Sequence, residues 1–176
     1  PDFDWAGIVA KAAGEVVHAE LERLARRGLP PAQLQVRPEA WRRELRTLGV
    51  TGEHLEVGVA RVELAIRRMS SSPIAARLLD PAMAEATSEL ALSAVVDGSV
   101  LSLRVDRTFV DPDGVRWIVD WKTGTHEGTG LDDFLEGELG RYAPQLARYA
   151  ELLRRLDGRP QKIGLYFPLL DAWHEW

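Results

Sequence analysis

Three carboxylates and one lysine between Glu89 and Gly124 have the types and spacing to do chemistry together. The stretch reads ELALSAVVDGSVLSLRVDRTFVDPDGVRWIVDWKTG, a pattern for three antiparallel strands joined by two tight turns. Asp97-Gly98 is the dipeptide that a two-residue type I′ hairpin favours. Pro112-Asp113-Gly114 suits a three-residue loop, a type I turn whose glycine takes the left-handed position of a G1 bulge. Loop length then fixes register. A two-residue loop pairs Val96 with Ser99 and sets Glu89 opposite Asp106. A three-residue loop pairs Asp111 with Val115 and sets Asp106 opposite Asp120. Because strand side chains alternate between faces, Asp120 and Lys122 share a face and Asp106 joins them.

The expected product is a row of three carboxylates across neighbouring strands, with a lysine two residues past the last. Opposed β-carbons lie roughly 4.5–5.5 Å apart, and like charges at that distance destabilise a sheet. A divalent cation offsets that repulsion, and carboxylate oxygens are what magnesium or manganese prefer. The opposite faces read as core: Leu101, Leu103, Val105 and Phe109 on one strand, Val115, Trp117 and Val119 on the next. The alternative is a hairpin with an acidic, solvated face. The register and the Asp-x-Lys spacing favour the metal.

Around this centre the composition is that of a globular chain, 176 residues long with 45% hydrophobic and 28% charged residues. It is expected to form a single domain over residues 1–176. Cysteine is absent, which removes disulfides, thiolate-bound zinc, iron–sulfur clusters and thiol nucleophiles, and fits a reducing, cytoplasmic setting. No apolar run approaches membrane-spanning length and no signal-peptide pattern opens the chain, so no membrane partner is expected. The chain opens on Pro1 rather than methionine, and the expectation is a fragment of a larger protein. A net charge of −5 argues against nucleic-acid binding through bulk electrostatics alone.

The elements that must position the row lie on either side of it. Residues from Asp4 to Arg27 read as a helix with an apolar stripe of Val9, Ala13, Val17, Leu21 and Leu24. His18 sits at the edge of that stripe, one turn after Gly14. A mid-helix glycine costs about 0.5–1 kcal/mol relative to alanine, so it marks a close approach of another element. Helices are also expected over Glu39–Leu48, from a cap at Thr51 to Met69, and over Ile74–Leu79. After the strands, His126–Gly140 reads as a loop. Pro144 suits the first turn of a helix running to Leu156, whose buried face is Tyr142, Tyr149, Leu152, Leu153 and Leu156. Gln145, within that face, must find polar partners. A last strand, Lys162–Leu170, is placed to pair parallel to the sheet after the helical crossover, while Trp173-His174-Glu175-Trp176 carries no signal.

Taken in order, His18 in GEVVH, Glu89 in ELAL, Asp106 in VDR, Asp120 and Lys122 in IVDWKTG, and Gln145 and Tyr149 in QLARY resemble the PD-(D/E)xK nuclease superfamily. The match is to the RecB/AddA-type nuclease domains attached to DNA helicases, and it spans nearly the whole chain. DWKTG followed by Q-x-x-x-Y is the specific pair. Val105 stands where the superfamily's pattern has proline.

The resemblance implies an α/β (α+β mixed) fold with a restriction-endonuclease-like core: a mixed central sheet of about four strands flanked by helices, with a helical N-terminal half. It implies Mg2+ (or Mn2+) held by His18, Asp106, Asp120 and the Trp121 carbonyl. Lys122 would act on the attacking water, Glu89 would hold a water or a second ion, and Gln145 and Tyr149 would position DNA. The function implied is metal-dependent cleavage of single-stranded DNA, delivered by a helicase motor on the same chain or a partner subunit, in repair or recombination. The rival reading is a nuclease-fold module that no longer cuts and guides DNA or docks a partner. Such a module should have lost acidic or lysine positions, and every one is retained here. A two-carboxylate hydrolase such as a glycosidase would leave Lys122 and His18 without roles.

Overall fold

Apolar residues recur at helical spacing through the first 80 positions and at strand spacing thereafter, and the chain folds accordingly. A computed structural model describes residues 5–96, 99–124 and 130–176. The chain divides into two compact units, one drawn from Pro1–Asp80, Lys122–Thr125 and Phe167–Ala172, the other from Pro81–Trp121, His126–Tyr166 and Trp173–Trp176.

The first unit is helical. It contains α1 (Trp5–Arg26), a single 3-10 turn (Pro31–Gln33), α2 (Pro38–Thr47), α3 (His54–Ser71) and α4 (Pro73–Leu78). The whole expected stripe of α1, Val9, Ala13, Val17, Leu21 and Leu24, is buried. α1 and α2 pack on α3, whose Val62, Ala65, Ile66 and Met69 have no exposed surface. Ser72 caps α4, its hydroxyl accepting the Ala75 amide at 3.1 Å. Thr51 does not cap α3: the chain turns left-handed at Gly52 (φ 61) and Glu53 takes the capping position without a side-chain bond. Thr51 thus stands two residues outside the helix it was expected to start.

The second unit holds a five-stranded mixed sheet in the order β1 (Ala84–Val96), β2 (Ser99–Val110), β3 (Arg116–Trp121), β4 (Gln161–Phe167) and β5 (Ala172–Glu175). β1, β2 and β3 run antiparallel, and β4 pairs parallel to β3. That parallel pair needs a crossover, supplied by α5 (Leu131–Asp157). The class is mixed α/β as expected, with one strand more than the expected four. The extra strand is β5, from the tail that carried no signal. Ile163 and Trp176 exchange both backbone hydrogen bonds, at 3.2 and 3.1 Å, and a β-carbon on Gly164 would overlap the Trp173 ring.

Arg116, buried at the start of β3, bonds Asp157 at the end of α5 (2.8 Å) and Glu85 near the start of β1 (2.5 Å). Three elements are tied there by one guanidinium. α5 begins at Leu131, so the expected loop is helix from that residue on, and its residues 126–129 lie outside the described residues. Pro144 consequently lies inside the helix, where it removes one amide donor. The helix continues through it because Leu135, Leu146, Tyr149 and Leu153 form one buried stripe on both sides of the proline. Leu156, expected in that stripe, is 71% exposed. β4 ends at Phe167, before Pro168, rather than at Leu170. Among the described residues no helix is long and apolar enough to cross a membrane.

Candidate active site

The geometry of the site starts at a turn. Asp111 holds the β2–β3 loop through three bonds: its Oδ1 accepts the amides of Asp113 (3.0 Å) and Val115 (2.9 Å), and its Oδ2 accepts the Trp117 indole (2.8 Å). Gly114 takes φ 78, and its amide returns to the Asp111 carbonyl. This is the three-residue loop expected from Pro112-Asp113-Gly114, with Asp111 and Val115 bonded across its base. Burial pushes the Asp111 carboxyl up, but the Trp117 indole and the two amides together hold it below the usual aspartate value.

The register follows. Val110 pairs Arg116 and Arg107 pairs Val119, so the next position outward brings Asp106 opposite Asp120. On the other side Val96 pairs Ser99, and Leu90–Val105 and Ser88–Arg107 bracket Glu89 opposite Asp106. The Asp97-Gly98 turn itself lies outside the described residues. A carboxylate oxygen of Glu89 and one of Asp106 lie within 4.8 Å of one another. Glu89 carries a positive φ of 54, strained backbone for a residue with a β-carbon. Arg104, two residues before Asp106 and so on its face of β2, reaches Glu89 at 3.4 Å. Asp106 Oδ2 accepts the Trp121 amide at 2.8 Å, fastening the carboxylate to the backbone one residue before Lys122. Asp120 stands outside the close Glu89–Asp106 pair and is only 5% exposed, on a strand buried along its full length.

In the helical unit, the segment that begins at Lys122 meets α1. A β-carbon on Gly14 would come within 2.4 Å of Thr123 Oγ1, so only glycine lets the helix approach there. That is the close approach the mid-helix glycine implied. His18, one turn further along the same face, is half-buried. From α3, Arg61 donates to the Thr123 carbonyl at 3.2 Å. The residue after Lys122 is therefore held from both helices.

The profile of the PD-(D/E)XK nuclease superfamily matches residues 6–172. The chain belongs to this superfamily. No curated protein matches the sequence. Membership and the five-stranded mixed sheet together give the restriction-endonuclease-like fold that the resemblance implied. Nucleases of this superfamily use divalent metals, and the donor set here fits one: Glu89 and Asp106 present hard oxygen ligands close enough to share a cation.

On α5, two polar side chains are bonded to each other. Gln145 Nε2 donates to the Tyr149 hydroxyl one turn on. Tyr149 is buried, whereas Gln145, expected inside the apolar stripe, is exposed at its edge. Its partner is thus its own helix neighbour. Sequence reasoning missed Arg104, Asp111 and Arg61. Arg104 had a readable signal, its two-residue spacing from Asp106. Asp111 had another, as an aspartate opening a Pro-Asp-Gly turn. Arg61 had none, since its bond spans 62 positions.

Proposed function

We propose that this chain is a divalent-metal-dependent deoxyribonuclease that hydrolyses phosphodiester bonds of single-stranded DNA. The observation that carries this reading is the Glu89–Asp106 carboxylate pair, hydrogen-bonded through Asp106 to the backbone of the Asp120-Trp121-Lys122 segment. Asp106, Asp120, the Trp121 carbonyl and His18 are the proposed metal ligands. A bound Mg2+ or Mn2+ supplies charge neutralisation at the scissile phosphate and acidifies a water. Lys122 orients the attacking water and steadies the negative charge that develops as its proton leaves. Glu89 holds a further water or helps place a second ion, and Arg104, 3.4 Å from its carboxylate, steadies it beside Asp106. Gln145 and Tyr149, already bonded to each other, position the DNA strand as a unit.

The acidic balance of the chain supports a division of labour in which a helicase motor, on the same chain or a partner subunit, supplies DNA affinity and delivers the strand. This extends the resemblance to RecB/AddA-type domains into a role in cytoplasmic DNA repair or recombination.

The test is cleavage of end-labelled single-stranded and duplex DNA with magnesium, with manganese and with chelator in parallel. Metal-dependent loss of the single strand, abolished by chelator and by Lys122→Ala, is expected. Tight DNA binding without cleavage in either metal would establish the non-cutting module instead.

A further inference from the structure

One buried charge that the carboxylate row does not use is Glu20, in α1 with 4% exposure. Its carboxylate accepts the Trp41 indole at 2.7 Å, receives Arg37, and lies 2.6 Å from Arg23. Burial pushes its carboxyl up, but these partners more than compensate and hold it below the usual glutamate value, so it remains ionised. None of this serves the carboxylate row. What it does is orient two guanidiniums along the wall of a cavity of about 490 Å³. Arg23, Arg27 and Arg37 line that cavity together with Glu20, Gln33 and Gln35, and leucine side chains complete its wall.

The charge count is positive. Three guanidiniums face one carboxylate in the lining; Glu44, outside it, lies 3.6 Å from Arg23. Arg27 makes no ion pair with any described residue. Each guanidinium carries five N–H donors in a planar fork, so a single carboxylate leaves most of them unused. Arg23 and Arg37 are each 33% exposed at the side chain, open enough to meet a ligand. The cavity belongs to α1 and to the turn that follows it, where the Leu29 amide returns to the Leu24 carbonyl and folds the chain back. Glu20 and Arg23 share one face of α1, roughly opposite His18, and Arg27 follows in the turn just past the end of the helix. The helix thus carries two separate chemical faces.

We propose that this cavity is a nucleotide site, with the arginine fork holding a phosphomonoester and Gln33 and Gln35 bonding the polar edge of the base. A volume in the range of small-molecule pockets is too large for inorganic phosphate alone, and Leu24, Leu29 and Leu34 within a mostly polar lining give a base a surface to rest on. The choice of a nucleotide over another phosphomonoester rests on the nuclease reading. The phosphate part does not, and it requires no metal. A mononucleotide in solution and the 5′-phosphorylated end of a DNA strand offer the same chemistry.

Calorimetric titration of the full chain in chelator tests the site apart from any cleavage. Deoxyadenosine 5′-monophosphate should bind and deoxyadenosine should not. Arg27→Gln, an exposed position whose loss does not threaten the fold, should weaken binding about tenfold or more. Arg46→Gln, equally exposed but outside the cavity, should leave binding unchanged. A 5′-phosphorylated hexamer binding more tightly than the mononucleotide identifies a strand end as the natural occupant; weaker binding identifies the free nucleotide. Failure of the mononucleotide to bind, equal affinity in Arg27→Gln, or equal binding of phosphorylated and unphosphorylated hexamers would overturn the proposal. Cleavage assayed separately with magnesium decides the nuclease reading, so each can fail without the other.

Discussion

The backbone amide of Trp121 donates to Asp106 Oδ2 at 2.8 Å, so an acidic side chain of β2 fixes the chain just before Lys122. Asp106 therefore has a structural task beside its proposed metal-binding one, and two substitutions separate them. Asparagine keeps an acceptor for the Trp121 amide but removes the charge that faces Glu89 within 4.8 Å. In chelator, Asp106→Asn should melt no lower than the parent, while cleavage is lost. Asp106→Ala leaves the amide without its acceptor and should cost about 1–3 kcal/mol. Added magnesium or manganese should raise the parent's melting temperature by mass action and leave that of Asp106→Asn nearly unchanged. Thermal denaturation with and without metal reads all three. A metal-free Asp106→Asn protein that melts well below the parent would show that repulsion in the row is unimportant.

Lys122 is proposed to act on the water rather than to ligate the metal. Lys122→Ala should therefore lower the cleavage rate by about 10²–10⁴-fold, the usual contribution of a positioned proton-transfer group. Metal affinity, measured by calorimetry, should stay within a few-fold of the parent's. A variant that cuts at the parental rate would remove Lys122 from the mechanism.

The register of the three strands was legible because turn chemistry is local. Asp111, Pro112, Asp113 and Gly114 specify the loop among themselves, and strand alternation carries that information out to Asp106 and Asp120. The Gly14 approach was legible as a cost without a local benefit. What stayed hidden is non-local. α5 continues through Pro144 because its buried stripe outweighs one missing amide, a balance set by residues that are distant in sequence. β5 forms because β4 offers an edge and Gly164 makes room for Trp173. Glu20 carries no local signal, because its partners Arg37 and Trp41 lie 17 and 21 positions away.

Asp111 makes the fold pH-sensitive in a defined direction. Its folded-state carboxyl is held below the usual aspartate value, so the stability it contributes is complete above that usual value. It is lost as pH falls through the lower folded value. Asp111→Asn has no carboxylate to take up a proton and should show a shallower loss of stability on acidification below about pH 4. Urea melts at pH 7 and through the acid range, parent against variant, provide the measurement. Parallel acid slopes would mean the three bonds at Asp111 are not formed in solution.

Gly14 and Thr123 give a prediction whose sign changes with its partner. Alanine is a better helix former than glycine by about 0.5–1 kcal/mol, so Gly14→Ala alone in an open helix would stabilise. Here its β-carbon would lie 2.4 Å from Thr123 Oγ1 and 3.4 Å from Thr123 Cβ. Threonine is stiff at χ1, and turning it brings the methyl, already 3.7 Å away, toward the same space. Overpacking of this kind costs about 1–3 kcal/mol, more than the propensity gain, so the single variant should be destabilised. Removing the hydroxyl with Thr123→Ala leaves the 3.4 Å contact, which is ordinary van der Waals packing. In that background Gly14→Ala should stabilise by about the propensity difference. The four proteins form a double-mutant cycle, read by denaturant melts. Because Thr123 follows Lys122, Gly14→Ala should also lower kcat more than it changes KM on DNA, and the double variant should recover it. Additive effects across the cycle would show that α1 and Thr123 are not in contact in solution.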